Sequence, residues 1–240
     1  MAEHISRKEL KQDKIKETFE HGAEAVISHG QFASIVLVVI AVFAVVYAGW
    51  RFYSDRRGAQ ASDALDTAMK AYQGRIGGAP DPNNPNELVY PNDNARVQDA
   101  LTKFLGVADK YSSTDPGRLA RYYSALCLED LERHNQALEE LKKISGGSDK
   151  ELSAMAQYQV AVIDSRTGKT DDAVKLFRAL ADNPSVIVPR SLALLGLAGA
   201  LSNSNPKEAA AVYQQIKKEF PDTTMSEQAD RGLDELSPKS

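Results

Sequence analysis

The sequence predicts an all-α protein: a single N-terminal transmembrane helix followed by an α-solenoid of about four helix pairs and a capping helix. Three observations carry this. Residues 32–50 form one uncharged apolar run. Beyond Arg51, apolar residues recur three and four apart with no alternating stretch of any length, the period of helices rather than strands. Within that region, a small residue followed four positions later by a large apolar one returns at intervals of 37, 36 and 36 residues. The divisions expected are an N-terminal segment 1–31, a transmembrane helix 32–50, a juxtamembrane linker 51–59 and a repeat domain 60–240.

The apolar run, FASIVLVVIAVFAVVYAGW, spans 19 residues from Phe32 to Trp50 and as a helix would measure about 28 Å, close to the hydrocarbon thickness of a bilayer. Eleven of its residues are Val, Ile, Leu or Phe, and together they favour insertion by roughly 3 to 6 kcal/mol. Tyr47, Trp50 and Tyr53 are amphipathic aromatics suited to the interface, and Arg51, Arg56 and Arg57 follow at once, which ends the span near Trp50. Two other readings fit the run less well. A cleavable leader is opposed by six acids against five Lys/Arg in the first thirty residues and by the length of the apolar core. A buried core helix would need cover on every side from a domain that is otherwise amphipathic. Flanking charge leaves the orientation open, because five Lys/Arg precede the span and five lie in the thirty residues after it. Ile15, Phe19, Ala23 and Val26 are spaced for a short amphipathic helix before the membrane.

Composition narrows the function. The net charge of -4 and the lack of any Lys/Arg-rich tract argue against nucleic acid as a partner. The mean hydropathy of -0.38 confines membrane character to the one run. One cysteine, Cys127, allows no internal disulfide, and among apolar neighbours it reads as a small buried hydrophobe.

Helices are expected at 60–76, 94–111, 116–132, 135–145, 149–167, 170–182, 187–202, 206–219 and 224–236. The recurring pairs are Ala100/Phe104, Ala137/Leu141, Ala173/Phe177 and Ala209/Tyr213. Alanine lets two helices approach closely, and the large residue one turn later fills the gap toward the next unit. Ala125 and Ala161 stand twelve residues before two of these alanines, whereas Leu197 holds that place in the last unit. Gly77 to Asn92 is too rich in Gly, Pro and Asn for a helix and forms a long loop. The segment from Thr224 to Leu236 is polar over much of its surface and caps the array.

The stretch AMAQYQVAVIDSRTGKTDDAVKLFRALADNP, residues 154–184, resembles a tetratricopeptide repeat. Gly168 falls in the turn, Ala173 and Phe177 match the second-helix signature, and Pro184 and Pro221 fall at repeat ends. The period of 36 departs from the usual 34, and the connections around 145–149 and 183–189 absorb the difference. A charged head, one span ending in GWRFY (Gly49 to Tyr53) and the following SDALDTAMKAY (Ser62 to Tyr72) together resemble the YfgM family of ancillary SecYEG translocon subunits. That resemblance implies a single-pass protein of the bacterial inner membrane, with residues 1–31 cytoplasmic and the repeat domain periplasmic. It also implies translocon subunits and a periplasmic membrane-anchored chaperone as partners. A cell-envelope assembly or cell-division coordinating repeat protein is the alternative.

Stacked helix pairs offer a concave face lined by their first helices, here presenting Tyr122, Leu126, Glu129, Tyr158, Val162 and Ser165 as a candidate protein-binding groove. Core packing against neighbouring units would produce the same stripe. The face lacks the Lys, Arg and Asn cluster that clamps a C-terminal carboxylate. Catalysis is not expected: His4, His21, His29 and His134 are scattered, no metal spacing occurs, and Glu129, Asp130, Glu132, Asp171 and Asp172 sit at helix ends as solvated or capping charge. The expectation is a membrane-anchored protein-interaction scaffold without enzyme activity or cofactor, touching lipid through residues 32–50.

Overall fold

The computed structural model describes residues 30–78, 84 and 87–237. The proposed amphipathic helix before residue 27 lies outside them. The chain divides into two compact units, Met1–Arg56 and Arg57–Ser240.

In the first unit the described residues belong to helix α1 (Gly30–Tyr72). Its apolar part is uncovered: none of its most apolar 18-residue window is buried, and the mean hydropathy of that window is 2.0. A core helix would show the opposite, so this is a candidate membrane span. The helix expected to end at Trp50 runs on to Tyr72, and residues 51–59 are helical rather than a break. The reason lies in local chemistry: 51–60 holds no proline and one glycine. Arg51 meets Asp55 one turn away at 3.8 Å, and Arg56 lies 4.8 Å from the ring centre of Phe52.

The second unit opens with the last turns of α1. Arg75–Ile76 (β1) and Val89–Tyr90 (β2) then form a two-residue parallel pair that closes the base of the long loop. These strands were not expected, since two residues are too few to show a period. Arg75 binds Glu87 through Nε and Nη2, at 3.0 and 3.1 Å.

Then follow α2 (Asp93–Lys110), α3 (Asp115–Asp130), α4 (His134–Lys142), α5 (Lys150–Arg166), α6 (Thr170–Asp182), α7 (Arg190–Leu201), α8 (Pro206–Glu219) and α9 (Thr224–Leu236). Side chains of Asn92, Thr114, Asp149, Asn205 and Thr223 cap α2, α3, α5, α8 and α9 by accepting first-turn N–H groups. The start of α7 is Arg190 rather than 187, because Pro189 disfavours helical backbone at Val188. Residues 185–188 instead make a turn with Ser185 N–H to Val188 O at 3.0 Å.

The 36-residue register is expressed in packing. Ala100, Ala137, Ala173 and Ala209 are all 0% exposed, and Phe104, Leu141, Phe177 and Tyr213 lie buried one turn on. The tail of α1 acts as first helix to α2: Ala61, Ala68 and Ala71 share a core with Val97, Ala100 and Phe104, and Arg57 Nη2 donates to the Lys110 carbonyl at 2.7 Å. Two apolar cores result, and α5 serves both, giving Leu152, Ala156 and Ile163 to one and Ala154 and Ala161 to the other. Large rings meet glycines at a fixed offset: a Cβ on Gly196 would lie 2.5 Å from Phe177 Cε1, and one on Gly232 2.3 Å from Tyr213 Cζ.

Candidate protein-binding face

Helix periodicity aligns Tyr122, Leu126 and Glu129 along α3, and Tyr158, Val162 and Ser165 occupy the same positions 36 residues later on α5. All but Glu129 are half-buried; Glu129 is buried at 8% exposure. The tyrosine rings are seated against the cores. Tyr122 meets Tyr123 edge-on at 5.8 Å, and Tyr158 meets Phe177 edge-on at 5.4 Å. Desolvation raises the pKa of both phenols, and Tyr122 is raised further by the neighbouring Tyr123 and Tyr158. Leu126 and Val162 lie one turn further along their helices and continue the strip as aliphatic surface. Such a strip of rigid amphipathic rings beside aliphatics suits contact with a protein segment.

Glu129 corrects the expectation of solvated charge. Its Oε1 lies 2.6 Å from His134 Nδ1, across the α3–α4 turn, while Arg166 Nη1 from the end of α5 reaches within 3.6 Å of Oε2. These two neighbours partner the buried carboxylate. They are five and 37 residues away in sequence, so no local pattern announces them. Arg166 and His134 therefore join the site. Asp130 remains exposed and accepts the Tyr72 hydroxyl at 3.3 Å. Burial, with Asp130 adding to it, lifts the Tyr72 phenol to about 12. Cys127 is buried, as expected, and burial with the Asp130 charge pushes its thiol up to about 12, the state of an inert thiol rather than a nucleophile. Among the described residues, no group of His, Cys, Asp and Glu could hold a metal ion.

Repeated helix pairs, a 36-residue register and one face built from equivalent first-helix positions define the architecture. The model of the tetratricopeptide repeat-like domain matches residues 29–184. The chain belongs to that family. A second tetratricopeptide repeat model matches residues 161–223, continuing the array through α8. No curated protein matches the chain, and no solved structure does. A tetratricopeptide array is a protein–protein interaction scaffold, and such families are typically non-enzymatic. In this member, the array follows an exposed helix of membrane-spanning length and composition.

Proposed function

We propose that this protein is a single-pass, membrane-anchored scaffold that assists the handling of secreted proteins beside the translocon. Residues 1–31 are assigned to the cytoplasm, 32–50 to the bacterial inner membrane, 51–59 to a helical juxtamembrane connection and the repeat domain to the periplasmic side. The observation that carries the reading is the union in one chain of an uncovered apolar helix and a tetratricopeptide array whose first-helix face leaves Tyr122, Leu126, Tyr158 and Val162 half-exposed. A face with no visible chemistry acts by what it holds, and an anchor restricts what it meets by raising local concentration. The resemblance of Gly49 to Tyr53 and Ser62 to Tyr72 to YfgM-type proteins supports the translocon and a membrane-anchored periplasmic chaperone as partners.

Photo-crosslinking from positions 122 and 158 in native membranes tests this. Translocon subunits and secreted chains are the expected products. Division or cell-wall factors in their place would overturn the assignment. Protease protection of residues 57–240 on the cytoplasmic side would overturn the orientation.

A further inference from the structure

The fold leaves one acceptor on this face unfilled. Glu129 is more than nine-tenths buried, and its Oε2 has no hydrogen-bond donor among the described residues. The nearest cation, Arg166 Nη1, stands at 3.6 Å, close enough to attract and too far to donate. The other oxygen is already engaged by His134. A desolvated carboxylate oxygen without a donor is costly, so a donor arriving from a partner recovers what folding left unmade.

We infer that the face receives an extended segment of a partner protein carrying an arginine or lysine among apolar residues, the basic group donating to Glu129 Oε2. This deepens, and rests on, the reading of the face as a protein-binding surface. Charge complementarity selects the occupant. Glu129 ends the strip beside exposed Asp130, and an acidic segment would meet both carboxylates there. The groove lacks the cationic cluster that an acidic chain terminus needs. Arg166 is the group that yields: its side chain is 67% exposed and forms no hydrogen bond with Glu129, so it returns to water with little loss. From Tyr122 to Glu129 is seven residues along α3, about 10 Å, which an extended segment covers in about three residues. The basic residue therefore lies about three positions from the apolar side chain that meets Tyr122.

The test uses the full chain in detergent micelles and a fluorescein-labelled ten-residue peptide of Ser, Gly, Leu and Val, with one arginine three positions from a Leu-Val pair. Matched peptides replace that arginine by lysine, glutamine or glutamate, and polarisation reads binding. The arginine and lysine peptides should bind at least tenfold more tightly than the glutamine peptide, and the glutamate peptide more weakly still. Glu129→Gln should erase the preference for a basic residue. Arg166→Gln, a substitution at an exposed position, should strengthen the arginine peptide several-fold by removing the competing cation. Equal binding of all four peptides, abolished by Tyr158→Ala, would overturn the inference while leaving the face intact. Binding that ignores both Tyr122→Ala and Tyr158→Ala would overturn the face and the inference together.

Discussion

Replacing Gly196 by alanine tests whether ring-to-glycine contacts set the stacking of the array. The added Cβ would lie 2.5, 2.8 and 2.9 Å from three atoms of the Phe177 ring, so the nearest contact falls about 0.9 Å short of the 3.4 Å at which ordinary van der Waals contact begins. The ring has little room to retreat: Phe177 is 2% exposed, and Tyr158 stands against it edge-on at 5.4 Å. Overpacking of this kind costs about 1–3 kcal/mol, whereas removing a helical glycine gains up to about 1 kcal/mol. Gly199 supplies the control, since it lies in the same helix with nothing within 4 Å of its would-be Cβ. Gly199→Ala should stabilise by up to about 1 kcal/mol, and the gap between the two variants, about 1–3 kcal/mol, isolates the clash. Urea unfolding of the chain in detergent, followed by circular dichroism, reads both midpoints. Adding Phe177→Leu should recover most of the loss in Gly196→Ala. Equal midpoints for Gly196→Ala and Gly199→Ala would refute the reasoning. Because the displaced ring bears on Tyr158, the same variant should also weaken partner crosslinking from position 158.

Arg121 joins three helices: its Nη2 donates to the Ala108 carbonyl at 3.0 Å and to Asp109 at 2.9 Å, and its Nη1 donates to Glu140, whose side chain is 14% exposed. Arg121→Met leaves Glu140 Oε2 without its donor, Lys143 holding only Oε1 at 2.7 Å, and should cost about 3 kcal/mol in urea unfolding, the low end for a broken buried pair because Lys143 keeps the carboxylate paired and exposed Asp109 stays hydrated. Glu132 holds the left-handed backbone (φ 58°) that Gly168 holds in the equivalent α5–α6 turn (φ 84°), so Glu132→Gly should stabilise by about 1 kcal/mol on the same assay. The Glu151 carboxylate accepts the Ile187 and Val186 N–H groups at 2.9 and 3.2 Å, and these bonds, the one from Ile187 foremost, hold its pKa below the ordinary 4.5. A depressed carboxylate stabilises above its unfolded pKa and ceases to do so as pH falls through the folded value. Amide exchange at Val186 and Ile187, corrected for intrinsic rates, should therefore lose protection below that range. Glu151→Gln should remove the pH response.

What could be read from the sequence was whatever packing writes at fixed intervals. Ala100/Phe104 and its three successors are legible because the same steric requirement recurs in each unit, and the second-unit helices follow from apolar spacing of three and four. The tail of α1 was less legible. A change from apolar to charged residues at Arg51 marks where lipid ends, not where hydrogen bonding ends, and Gly58 alone does not stop a helix that Arg51–Asp55 and Arg56–Phe52 contacts support. Glu129 was harder still, since its sign and helix-end position suggest solvation, and its partners are His134 across a turn and Arg166 in the next unit.

One missed signal was present in the letters. Phe177 and Gly196, and Tyr213 and Gly232, are each 19 residues apart, and in both pairs the glycine lets the ring seat against the following first helix. The same offset from Phe104 reaches Tyr123, which stacks on it at 5.4 Å with a 17° tilt. The offset fixes which positions meet, while the residues there set how the space is divided: ring on ring in the first step, ring on bare backbone in the later two. A degenerate repeat of this kind keeps its register without keeping its residues. The half-buried tyrosines of the candidate face stand on these contacts, Tyr158 against Phe177 and Tyr122 against Tyr123, so the packing that holds the array together also positions the surface proposed to meet a partner.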